Sequence, residues 1–496
     1  MPTTSEAFAK DGLVTCHQML EIEQRAFDRG VLAADLMELA GKGIAKEVER
    51  FFPNPGTLIL YLGSGNNAGD ALVAGRELQK LGWQVLVRLS GPVEALKPLP
   101  RSHLATLPEV GVLEAAAQAD TLARPIVQLD GLLGIGSVGE MRAPLRALAA
   151  EMNALRHEQH AFTVAMDIPS GLDGDTGKPT PDTVIADLTV TVACGKTGLV
   201  ADAATSFVGR LAVVSLADLK SESASGSQLL TPELLRSFMP RREFEFHKGQ
   251  AGRVGIIAGS PGFLGAAIFA CCGALRSGAG LVTLLVKEEV YPLLATRVPP
   301  EVMVKIVTDY REILEMPFDV LAIGPGLGFK HEAEVLDVIR EAKSPAVVDA
   351  DAITMLARNN AALAEAKAPR LLTPHPGEMQ RLMSPQSSRR EWAETWAAAH
   401  PDHTLLLKGA RTVIATAGKP TFYNNTGHPG MATGGMGDVL TGVCAGLVGQ
   451  GIPLHQAAGI GAWVCGRAAE LAALEMAQIS VLPSDVIQHL GGAFRL

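Results

Sequence analysis

The sequence predicts an α/β protein of two domains, each a mainly parallel sheet with helices on its faces. Short apolar runs such as 57–62, 281–286 and 320–323 lack polar alternation, as strands buried on both sides do. These runs open onto glycine-rich loops, and helical patterns of small apolar residues follow, so strand, loop and helix recur along the chain. Composition agrees: 47% of the 496 residues are hydrophobic, 19% are charged and only 5% are aromatic, which suits α/β layers.

The formal charge is −9 and no Lys/Arg tract interrupts the chain, so nucleic acid and acidic membrane surfaces are excluded as expected partners. An anionic ligand has to be held locally, by amides and a few cations. Cys16, Cys194, Cys271, Cys272, Cys444 and Cys465 are scattered, with no C-x-x-C and no zinc-type spacing with His. Asp11, Glu21 and Glu23 stand where a secretory leader carries basic residues, and no apolar run is long enough to span a bilayer. The expectation is a cytoplasmic chain with reduced thiols, away from membranes.

In order, helical spacing over 15–52 predicts two opening helices, with Leu36, Met37, Leu39 and Ala40 on the apolar side. Residues 57–62 form a strand, Gly63 to Asp70 a loop and 71–81 a helix. The loop misses the G-x-G-x-x-G dinucleotide fingerprint, because Ala68 occupies the third glycine's place and Gly69 comes one residue late. Strands follow at 85–89, at 126–129 ending in Asp130, at 162–166 ending in Asp167-Ile-Pro-Ser170, at 190–194 and at 211–215. Ligands of such sheets collect beyond the carboxyl ends of the strands, so Asn66, Asn67, Asp130, Asp167 and Ser170 are expected to face one crevice. Their oxygens are hard ligands suited to an alkali or alkaline-earth cation. A small polar stretch at 221–227 marks the domain boundary.

Leu36-Met-Glu-Leu-Ala-Gly41, Gly65-Asn-Asn-Ala-Gly-Asp70, Asp130-Gly-Leu-Leu-Gly134 and Asp167-Ile-Pro-Ser-Gly171 together resemble the NAD(P)H-hydrate epimerase family. The resemblance implies a Rossmann-like doubly wound domain over residues 1–220 that inverts C6 of hydrated NADH or NADPH. It further implies Asp167 as the acid/base, and K+ held by Asn67, Asp130 and Ser170. Substrate contacts would come from Asn66, Asn67, Ala68, Gly69 and Asp70, and from Gly134, Ile135, Gly136, Ser137, Val138, Gly139 and Glu140. Ala68 and Ala71 depart from the family's usual glycines.

In the second half, strands are expected at 253–258, 281–286, 320–323, 346–348, from 371, from 405 and at 413–415, each ending in glycine or a polar group. Asn425 to Gly442 then carries Gly434-Gly435-Met436-Gly437-Asp438 into an apolar helix. A Gly-Gly-x-Gly turn lets main chain approach a ligand, and the helix beginning near Gly437 aims free N–H groups and a positive dipole end at it. Asp438, in that first turn, is placed to take a proton from a substrate hydroxyl beside the bound anion. Lys408 and Arg411 are the cations such an anion needs, and His375 is fixed between two prolines at a strand end. Trp392, Trp396 and Trp463 read as packing residues.

His247-Lys-Gly249, Gly324-Pro-Gly-Leu-Gly328, Thr373-Pro-His-Pro-Gly-Glu378, Lys408-Gly409 and the 425–442 stretch resemble the ADP-dependent NAD(P)H-hydrate dehydratases, which have a ribokinase-like α/β fold. This resemblance covers 231–496. It implies substrate contacts from Ala266, Gly326, His375 and Asp438, and adenylate contacts from Lys408, Gly409, Ala410, Arg411, Thr412 and Gly437. Met436 replaces the family's usual serine. The chemistry implied is attack of the C6 hydroxyl, deprotonated by Asp438, on the terminal phosphoryl of ADP, with Mg2+ on the phosphates and the amides of Gly435, Met436 and Gly437 as cradle. AMP leaves, and the ring nitrogen then expels phosphate. A homo-oligomer is the expected assembly. The rival reading is a ribokinase-like kinase of a small alcohol or vitamin, regulated by a nucleotide-binding first domain.

Overall fold

The structure is a computed structural model describing residues 12–107, 110–117, 119–136, 139–219 and 226–496. It divides into two compact units, Met1–Ser225 and Gly226–Leu496.

In the first unit, two helices, Cys16–Asp28 and Ala33–Phe51, precede a seven-stranded sheet. Its strands are β1 Thr57–Leu62, β2 Gln84–Leu89, β3 Gly111–Val112, β4 Ile126–Gly131, β5 Phe162–Met166, β6 Leu188–Val192 and β7 Arg210–Val214. All pair in parallel, in the order β3-β2-β1-β4-β5-β6-β7. Side chains of β1 alternate between two cores. Leu58, Leu60 and Leu62 pack with Ile44, Ala71 and Leu72, while Ile59 and Tyr61 meet Leu148 and Met152 of the helix Ala143–Gln159 on the other face. The strand order reverses between β1 and β4, which opens a crevice at their carboxyl ends.

One boundary differs from the sequence reading. The helix after β1 spans Asn66–Lys80 and takes in Asn66 to Asp70, which the glycines had marked as loop. Glycine at 69 reflects packing: a Cβ there would collide with Met37 Sδ, so close helix–helix contact overrides the usual helical penalty. The two-residue β3 was missed, being too short to show a pattern.

The second unit has a ten-stranded sheet ordered β11-β10-β9-β12-β13-β14-β15-β16-β17-β8. Its strands are β8 Ser227–Leu229, β9 Arg253–Ile257, β10 Leu281–Val286, β11 Val302–Ile306, β12 Val320–Ile323, β13 Ala346–Val348, β14 Arg370–Leu372, β15 Thr404–Leu407, β16 Val413–Thr416 and β17 Thr421–Tyr423. Strands β11 to β15 run parallel, and β16 is antiparallel to both β15 and β17. Here the order reverses between β9 and β12. Trp392, Trp396 and Trp463 are buried. Among the described residues, no helix is long and apolar enough to cross a membrane.

Candidate active sites

In the first unit the site forms where β1, β4, β5 and β6 end. Asn67 lies in the first turn of Asn66–Lys80, whose N-terminus carries no side-chain cap. Its amide nitrogen donates to Leu133 O at 2.7 Å, and its carbonyl oxygen takes no donor among the described residues. Asp130 is fully buried. Ser170 donates to it twice, from N at 2.7 Å and from Oγ at 2.6 Å, and Leu132 N donates at 3.3 Å. These partners are neutral, and burial pushes the Asp130 pKa up to about 6. A buried carboxylate beside an amide oxygen and a hydroxyl fits a hard cation of low charge.

Asp167 follows β5 with φ +66°, a conformation non-glycine residues adopt at a cost. Its Oδ1 accepts from Thr191 Oγ1 at 3.0 Å and Val192 N at 3.1 Å, and forms an ion pair with Lys196 Nζ. Lys196 is 1% exposed and also donates to Thr191 Oγ1 and Val192 O. Two further carboxyls share this field. Burial and then Asp167 raise the pKa of Glu23, and burial, Asp167 and Glu23 raise that of Asp70 well above its ordinary value.

The sequence reading missed Lys196 and Glu23, although Lys196, just beyond β6, stands at a strand end like the residues it did select. Asn66 is exposed, while Ala68 and Gly69 are buried; the Ala68 and Ala71 methyls join the core and do not line the crevice. Gly134 and Ile135 border a hollow with Ser170 and Cys16. Gly136, Gly139 and Glu140 are exposed, and Ser137 and Val138 lie outside the described residues.

In the second unit the helix Met436–Gly449 starts at Gly435, with φ +100° and no side-chain cap. A Cβ on Gly435 would lie 2.8 Å from the Phe269 ring, so both conformation and space demand glycine. Gly435 and Met436 are half-buried, as are Gly437 and Asp438. Beneath this N-terminus lies a buried network. Asp349 sits at the N-cap of the helix Ala350–Arg358 but makes no capping bond. It instead accepts from Lys408 Nζ at 2.8 Å and from Thr441 Oγ1 at 2.7 Å. Ala350 after it has φ +51°. A Cβ on Gly437 would be 3.3 Å from Lys408 Nζ, which places that ammonium under the cradle.

Burial and the Asp349 charge push Asp438 up to about 7, against the pull of Lys408. Burial opposes the Lys408 charge, yet Asp349 and Glu378 hold its pKa above the usual lysine range. A carboxylate near 7, an ammonium and free helix amides together make a base beside an anion site.

Gly326 has φ +59°, and a Cβ there would lie 3.0 Å from the Ala266 Cβ, so these two expected contacts adjoin. Gly328 N donates to Asp351 Oδ2 at 2.8 Å. His375 caps the helix Pro376–Leu382, its Nδ1 accepting from Gly377 N at 3.0 Å and Glu378 N at 3.3 Å, while Nε2 of the exposed ring lies 3.6 Å from Glu378 Oε1. In the loop after β15, Gly409 and Ala410 are exposed while Arg411 and Thr412 are buried. Arg389, not singled out from the sequence, lies directly over Gly409, where a Cβ would run into its guanidinium.

Residues 254–491 match the family described as NAD(P)H-hydrate dehydratase, and residues 33–198 match the YjeF-related protein N-terminus. The chain is 36% identical over 518 residues to the bifunctional NAD(P)H-hydrate repair enzyme Nnr of Moorella thermoacetica, covering 96% of each chain. It is 34% identical over 487 residues to the protein of that name from Coxiella burnetii, covering 95% of this chain and 97% of that one. Among solved structures, the ADP/ATP-dependent NAD(P)H-hydrate dehydratase of Bacillus subtilis, co-crystallized with ATP and Mg2+, is 30% identical over 54% of this chain and 97% of its own, with a TM-score of 0.48. Two site-bearing α/β units and matches along nearly the whole chain lead to one conclusion: the protein belongs to the family of bifunctional NAD(P)H-hydrate repair enzymes.

Proposed function

We propose that the first unit epimerises hydrated NADH and NADPH at C6, and that the second dehydrates the S epimer at the expense of ADP, giving NAD(P)H, AMP and phosphate. The observation that carries the second assignment is Asp438, with its pKa near 7, at an uncapped helix N-terminus above the Lys408–Asp349 pair.

Asp438 takes the proton of the C6 hydroxyl, and the oxygen attacks the terminal phosphorus of ADP. Lys408 and the N–H groups at Gly435, Met436 and Gly437 hold the charge that develops on the phosphoryl oxygens, each such donor contributing about 3 kcal/mol in comparable sites. The phosphorylated oxygen then leaves C6 as phosphate, driven by the ring nitrogen lone pair, and loss of the C5 proton from the resulting iminium to the departing phosphate or to solvent restores the C5–C6 double bond. Mg2+ bound together with the nucleotide would neutralise phosphate charge. The loop Lys408 to Thr412 holds the adenylate, while Ala266, Gly326 and His375 place the ring. In the first unit, Asp167 moves a proton at the hydrate while the buried Lys196 fixes its carboxylate. Asn67, Asp130 and Ser170 would hold K+, which would supply a fixed positive charge to the crevice. Six free cysteines support the cytoplasmic setting expected from the sequence.

The pH profile tests the base. Asp438 acts deprotonated, so kcat/KM for dehydration should rise tenfold per pH unit below about 7 and level off above it. Because the Asp349 charge raises that pKa, Asp349→Asn should move this limb to lower pH. An unmoved limb would mean that Asp438 is not the titrating group.

The potassium site has a readout independent of activity. Replacing choline chloride with KCl at equal ionic strength should raise the first unit's melting temperature by about 3–8 °C at saturation, from ligand linkage. Asp130→Asn should abolish the increment. An equal increment in the variant would place potassium elsewhere.

A further inference from the structure

Beside the phosphate cradle, the helices Ala350–Arg358 and Pro376–Leu382 enclose a groove of about 650 Å³, a size that takes a nucleotide-sized ligand. Its lining includes Asp351 and Glu378 at the cradle end, Thr354 along the wall, and Phe329, Arg358 and Arg381. The two carboxylates are committed to main-chain amides: Asp351 to Gly328 N at 2.8 Å, and Glu378 to His375 N at 2.9 Å. Arg381, by contrast, is exposed and donates to the neutral Thr354 Oγ1 at 3.1 Å. Among the described residues no carboxylate pairs with it. Phe329 is 42% exposed, and the Arg358 guanidinium, itself paired with Glu332 at 3.1 Å, lies 4.4 Å from its ring centroid. An exposed aromatic ring lining one groove with Arg381, whose donors no carboxylate takes among the described residues, is a way to hold a purine and its phosphate.

Resting on the dehydratase reading above, we propose that this groove binds the adenylyl half of the hydrated dinucleotide, with Arg381 on the adenylyl phosphate and Phe329 stacked on the adenine. In-line phosphoryl transfer puts the attacking C6 oxygen and the departing AMP on opposite sides of the phosphorus, so the two nucleotides approach the cradle from different directions. The groove lies on the hydrate's side. Asp351 ties it to the Gly326–Gly328 turn, whereas none of Gly409 to Thr412 lines it.

The test uses the full chain and two hydrates: that of NADH, and that of reduced nicotinamide mononucleotide, which lacks the adenylyl half. Arg381→Ala should raise KM for hydrated NADH roughly tenfold, the loss of one charge-assisted contact, with kcat nearly unchanged. KM for ADP and for the mononucleotide hydrate should stay within about twofold of wild type, well below that loss. Phe329→Ala should give the same pattern. The assignment is overturned if KM for ADP rises instead, if both hydrates suffer equally, or if neither KM moves in an enzyme that still turns over. Wild-type chain that performs no ADP-dependent dehydration would remove the dehydratase reading itself, and the groove's ligand with it.

Discussion

Asp438→Ala is expected to lower kcat/KM for ADP-dependent NADH recovery by about 10³-fold or more, since general-base catalysis supplies 10²–10⁴ and no neighbouring group can replace it. Asp349 is already bonded to Lys408 and Thr441, and Asp351 to Gly328 N. The loss should fall on kcat, because in the proposed mechanism the cradle binds ADP through main-chain amides and Lys408, which the substitution leaves in place. Exchange between hydrate epimers should continue at its wild-type rate. Rates of both reactions on one purified variant check this, and retained dehydration would remove Asp438 from the chemistry.

Asp167→Asn should produce the converse. Exchange between epimers is expected to fall by about 10²–10⁴-fold, the range for a lost acid/base, while ADP-dependent dehydration of pure S hydrate is unchanged. Asparagine is the informative choice, because its oxygen still accepts from Thr191 Oγ1, Val192 N and Lys196. Alanine would strand a lysine that is 1% exposed, at a cost of about 3–5 kcal/mol for a broken buried pair, and would mix folding with catalysis. Epimer exchange followed by chiral separation, with a melting curve as control, reads the outcome. Exchange at the wild-type rate in a folded Asp167→Asn protein would move the acid/base role elsewhere in the crevice.

What the sequence made legible has a physical basis. Parallel strands buried on both faces carry no polar alternation, so 57–62, 162–166, 281–286, 320–323 and 346–348 were visible in full. Strands β8, β11 and β17 were not. Met303 and Ile306 of β11 are exposed on an edge strand, and β8 and β17 are three residues each, too short for a period to register. The glycines at 63–69 suggested a loop where packing against Met37, and not backbone freedom, is the reason for Gly69.

At the sites, residues inside glycine-rich motifs could be named, but the groups that set their charge could not. Asp349 lies 59 residues from Lys408 and 92 from Thr441, and only the order of β13, β14 and β15 brings them together. Lys196 likewise reaches Asp167 because β5 and β6 are neighbours. No local pattern encodes such pairs. They follow from sheet order, which sequence periodicity does not supply.

The proposal of two active sites on one chain, each with its own aspartate, can be tested in a single absorbance trace. Full-length protein is mixed with both epimers of hydrated NADH, ADP is added, and recovery of the dihydronicotinamide band is followed. Wild type should restore the whole signal, Asp167→Asn should stop at the S share, and Asp438→Asn should restore essentially none. Complete recovery by Asp438→Asn at the wild-type rate would contradict the account.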